Sequence, residues 1–122
     1  MHSGRVPDER GLNEDEAALL RLVIRGCGHE AAALLEAQIG AAKVVGGIPT
    51  LLHLAVPEDH RAKADIPDGP LPGRYYVDKD SVHQGEILVW VLGGLLDALE
   101  FAWWSDEAPQ RMPAPSSVTI AP

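Results

Sequence analysis

Residues 85–104 read GEILVWVLGGLLDALEFAWW, and how this stretch folds decides the architecture. Two apolar runs meet at Gly93-Gly94. A two-residue type I′ turn needs positive φ at both central positions, which glycine adopts without a Cβ penalty, so the pattern predicts a β-hairpin. Two-residue register would then pair Leu92 with Leu95, Trp90 with Asp97 and Leu88 with Leu99, and Trp103 and Trp104 would point to opposite faces. The residue types of LLDALE also suit a helix, which leaves a helical segment over residues 95–104 as the alternative. The same stretch approaches the length of a membrane span, but Asp97, Glu100 and the central glycines argue against one.

Upstream, Asn13 and Glu16 have the spacing of a capping box, so a helix is expected from there. It opens with Glu14, Asp15 and Glu16, carries Arg21 and Arg25 towards its other end, buries Leu20, Val23 and Ile24, and stops at Gly26 and Gly28. A second helix is expected over residues 29–39, HEAAALLEAQI, ended by Gly40. Strands follow at about residues 42–46 and 50–56, then a Pro- and Gly-rich loop over residues 57–73 and a short strand over residues 74–77. The tail from Asp106 holds four prolines and has room for one short edge strand at residues 118–120. The expectation is a mobile leader over residues 1–12 and one α+β domain over residues 13–122. Two N-terminal helices would pack on an antiparallel sheet of four to five strands.

Eighteen acids against ten bases give a formal charge of −8, spread along the chain. Nucleic acid and anionic membrane surfaces are polyanions and demand a basic patch, so neither is expected as a partner, whereas a basic protein suits the charge. Cys27 is the only cysteine, so no disulfide forms within the chain, and no apolar signal segment opens it. A cytoplasmic protein is the expectation. At 46% apolar residues the chain can fill one core.

Candidate chemistry is sparse. Cys27, His29 and Glu30 cluster between the two helices, but a small cysteine in a helix turn is ordinarily packing. His53 and His60 with Asp59 or Asp65 are the best available metal set, without the paired spacing that metal sites use, so no metal and no cofactor are expected. Neither glycine pair has the lysine or helix start of a phosphate loop, and no nucleophile elbow is present, so an enzyme is the less favoured class. The stronger signal is Trp103-Trp104 beside Asp106 and Glu107, an apolar anchor with an acidic rim that suits a protein interface. The competing reading is a ligand pocket or active site between sheet and helices, formed by His53, Tyr75, Tyr76 and Asp97.

The segments AQIGAAKVVGGIPTLLHLAVP and GEILVWVLGGLLDALEFAWWSDEAPQRMPAP together resemble a group of small bacterial proteins, mostly actinobacterial. In these a hairpin leads into a Leu-Glu-aromatic-Ala-Trp strand and an Asp-Glu-x-Pro tail. The group brings no assigned catalytic activity, and some of its members look like immunity partners of polymorphic toxins. With the acidic charge and the Trp103-Trp104 pair, the expectation is a non-enzymatic protein-binding module, immunity-like or regulatory. Apolar strands on both faces also permit a homodimer.

Overall fold

The computed structural model describes residues 9–57 and 63–121. Helix α1 (Glu14–Gly26) starts on the expected capping box: the Glu16 N–H donates to Asn13 Oδ1 at 2.8 Å, and the Asn13 N–H donates to Glu16 Oε1 at 2.9 Å. Its buried stripe is Leu19, Leu20, Val23 and Ile24. Helix α2 (Ala32–Gln38) is shorter than the alanine-rich stretch suggests, and a 3-10 turn, Ile39–Ala41, follows it. His29 lies outside this helix, where its Nδ1 accepts the Ala31 N–H at 3.0 Å.

The strands are β1 (Arg10–Gly11), β2 (Lys43–Ile48), β3 (Leu51–Ala55), β4 (Gly69–Pro70), β5 (Tyr75–Lys79), β6 (Val82–Leu92), β7 (Leu95–Trp103) and β8 (Val118–Ile120). They form one antiparallel sheet in the order β1-β2-β3-β7-β6-β5-β8, with β4 alongside β6. The α+β class and the antiparallel sheet hold, but the sheet has eight strands, not four to five. Beyond the five strands read from the sequence, the sheet gains the edge strand β8, for which the tail had room, and β1 and β4, each of two residues and too short to show a period in sequence. Arg10–Gly11 lies within the stretch read as a leader and pairs with Val44 and Lys43; residues 1–8 are outside the described ones.

The β6–β7 hairpin is present and excludes the helical alternative for residues 95–104. Gly93 and Gly94 both take positive φ, 60° and 77°, as the tight turn requires. Leu92 pairs with Leu95 as expected, but the register then shifts by one residue, so that Trp90 faces Ala98 and Leu88 faces Glu100. Asp97 is the inserted residue of a bulge. Without it the alternation would place Leu99 and Phe101 with Leu88 and Trp90; with it they share a face with Ile87 and Val89, and all four are buried.

That buried face receives both helices. Val44, Leu52, Leu54, Val77, Ile87, Val89, Leu99 and Phe101 meet the α1 stripe and Leu35 of α2. Burying side chains of this size contributes about 1.5–3 kcal/mol each, the main favourable term. Tyr75 is also in this layer at 2% exposure, its hydroxyl within 3.3 Å of the Val23 carbonyl and 3.1 Å of the Pro72 carbonyl. Gln38 is fully buried at the hairpin end: its amide donates to the Gly94 carbonyl at 2.8 Å and accepts the Leu96 N–H at 2.9 Å. Among the described residues, no helix is long and apolar enough to cross a membrane.

Candidate functional site: the open face of the sheet

Strand alternation sends half of the side chains away from the helices. Leu51 and His53 on β3, Ala98, Glu100 and Ala102 on β7, Glu86, Leu88 and Trp90 on β6, and Tyr76 on β5 share this second face by register. Both helices bury their apolar stripes on the other side, so among the described residues neither covers it. The result is a broad, partly apolar surface with embedded charges.

Two arrangements of side chains stand on it. Towards β8, Arg74 clamps Glu86 through two nitrogens at 2.6 and 3.0 Å, and its guanidinium carbon lies 5.6 Å from the Tyr76 ring centroid. Tyr76 stacks on His83 with centroids 4.3 Å apart and planes 15° from parallel. Asp78 accepts from the Thr119 hydroxyl and pairs with His83 Nδ1, and these two hydrogen bonds hold its carboxyl below the usual range. Towards β3, the Trp90 indole N–H donates to Glu100 Oε1 at 2.9 Å.

Glu100 differs from the other sheltered acids. Among the described residues, Glu16, Glu36, Asp78, Glu86 and Glu100 are the carboxylates that are buried or half-buried. The first four each face a basic side chain: Arg10, Arg25, His83 and Arg74 respectively. Glu100 has its indole donor and no ion pair among the described residues.

Trp103 and Trp104 are both exposed, at 38% and 52%. Trp103 pairs with Gly85 and keeps the alternation of Leu99 and Phe101, at the end of the sheet. Trp104, one residue beyond the strand, donates its backbone N–H to the Gln84 carbonyl and its indole N–H to the His83 carbonyl at 3.1 Å. Asp106 and Glu107 follow, both exposed.

The four side chains read as a pocket do not converge. Tyr75 is a core residue, Tyr76 and His53 are on the opposite face three strands apart, and Asp97 is exposed in the bulge. Asp97 does line a surface cleft of about 410 Å³ with Lys63, Leu54 and Leu92, but none of the other three joins it there. Cys27 is partly buried and donates its thiol to the Ile24 carbonyl at 3.1 Å. Asp59 and His60 lie outside the described residues, among which no group of three metal-ligating side chains occurs. The Trp90–Glu100 pair escaped sequence reasoning because the unbulged register set Trp90 against Asp97; an expected bulge at Asp97 would have revealed it. Comparison with known protein families, curated proteins and solved structures finds no match to this chain.

Proposed function

We propose that this chain is a non-enzymatic protein-binding module, an immunity-like or regulatory partner of a basic protein, and that the open sheet face with its Trp-bearing end is the surface it uses. The observation that supports this most is the face itself. A sheet with helices on one side presents Leu51, Leu88, Trp90 and Tyr76 on the other, among the carboxylates Glu86 and Glu100, with exposed Trp104 at its end. Aromatic anchors beside Glu100 and the exposed Asp106 and Glu107 suit a basic partner, and burying them on binding supplies affinity while the charges set the association rate.

The test is capture of a partner by the tagged chain, repeated with Leu88→Arg and Trp104→Ala after circular dichroism has confirmed that each variant is folded. The expected result is one basic protein whose recovery falls with added salt and is lost in both variants. Recovery indifferent to these substitutions would place the interface elsewhere. Sedimentation of the pure chain as a dimer that Leu88→Arg dissociates would assign the face to a second copy instead.

A further inference from the structure

We infer that Trp90 and Glu100 form an anchoring subsite for an arginine side chain of the partner, an inference that rests on the protein-binding role above. Of the other four sheltered carboxylates of the described chain, Glu16, Glu36 and Glu86 are each paired with an arginine, and Asp78 is bonded by both His83 and the Thr119 hydroxyl; Glu100 has the single indole donor of Trp90. Sheltering an unpaired carboxylate is unfavourable, and a cation arriving from outside relieves that cost. Arg74, beside Tyr76 on the same face, is committed to Glu86 through two nitrogens.

The geometry favours arginine over lysine. The indole occupies one position on Oε1, and a carboxylate has about four acceptor positions, so Oε2 and the remaining side of Oε1 stay open to a forked donor. Directly across from Glu100 on the two neighbouring strands stand Leu51 and Leu88. These apolar flanks keep water at a distance and strengthen a charge pair formed between them. The Trp90 ring, fixed by its own hydrogen bond, offers a face on which a planar, weakly hydrated guanidinium stacks.

The test uses the full chain labelled with nitrogen-15, an oligoarginine peptide and an oligolysine peptide of the same length, at fixed ionic strength. The Trp90 indole N–H, assigned with Trp90→Phe, is the reporter. Oligoarginine should shift it saturably, and oligolysine should bind several-fold more weakly. Glu100→Gln keeps an oxygen for the indole, so the free variant should retain the Trp90 signal while binding oligoarginine roughly tenfold or more weakly. Glu14→Gln removes the same charge from exposed α1 and should change affinity by less than about twofold.

An unmoved Trp90 signal, full affinity in Glu100→Gln, or equal weakening by Glu14→Gln would overturn the subsite. A captured partner that depends on Leu88 and Trp104 but is indifferent to Glu100→Gln would also overturn it, while leaving the binding role intact.

Discussion

The ring of Tyr75 stands where a side chain on Gly26 would have to go: a Cβ there would lie 2.8 Å from Tyr75 Cε1. Gly73 closes the slot from the other side, where a Cβ would come within 2.5 Å of the Tyr75 hydroxyl. The ring thus joins the end of α1 to the start of β5. Helix propensity alone would favour alanine over glycine at position 26, by up to about 1 kcal/mol. The steric conflict reverses the sign. Gly26→Ala should destabilise the domain by about 1–3 kcal/mol in urea denaturation, the usual range for overpacking. In a Tyr75→Leu background the same change should cost far less, and strict additivity of the two substitutions would show that the ring does not fill this slot.

At the hairpin turn the two glycines are not equivalent. Both have positive φ, but a Cβ on Gly93 would meet nothing within 4 Å, whereas one on Gly94 would lie 2.5 Å from the Ala64 carbonyl oxygen. Gly93→Asn should therefore be mild, since asparagine tolerates this backbone region. Gly94→Val combines a β-branched residue at positive φ with a backbone collision and should cost about 3 kcal/mol or more, or prevent folding. Comparable midpoints for the two variants in thermal denaturation would contradict the turn geometry.

Acid stability should depend on Glu16. Its burial opposes ionisation, but hydrogen bonds from the Arg10 guanidinium and the Asn13 N–H, with the attraction of Arg10, outweigh this and hold the carboxyl below the usual range. A depressed folded pKa gives stability that is present above the unfolded value and is lost as pH falls through the folded one. The loss should therefore run from about pH 4 downward. Glu16→Gln should flatten the fall in urea midpoint over this window, leaving the share of Asp78 and Glu36, whose carboxyls are also held low. An unchanged slope would mean that Arg10 and Glu16 are paired equally well in the unfolded chain.

The parts legible in the sequence are those fixed by local chemistry. The capping box needs only Asn13 and Glu16 at the right spacing, and the tight turn needs only adjacent glycines between apolar runs. Strands β1 and β4 are created by their partners: two residues have no periodicity to read, and only the edge of β2 or β6 makes them strands. The bulge at Asp97 was hidden for a related reason. A strict two-residue alternation fits the segment on paper, and only the requirement that Leu99 and Phe101 reach the helices breaks it. At the candidate site, the exposure of Trp103 and Trp104 follows from their place at a strand end, but Glu100 stands out only when every other sheltered carboxylate has been matched to its partners. The role of Gln38 is equally hidden, because nothing in its helix announces the backbone groups waiting 56 and 58 positions away.

Those backbone groups tie two parts of the molecule into one opening unit. The Leu96 amide is capped by a side chain from α2, so solvent reaches it only when α2 departs, and the Gly94 carbonyl loses a donor in the same event. The turn of the longest hairpin and the shorter helix therefore share a single opening free energy. The exchange rate of one amide in β7 becomes a gauge of how often a seven-residue helix on the far side of the core leaves its place.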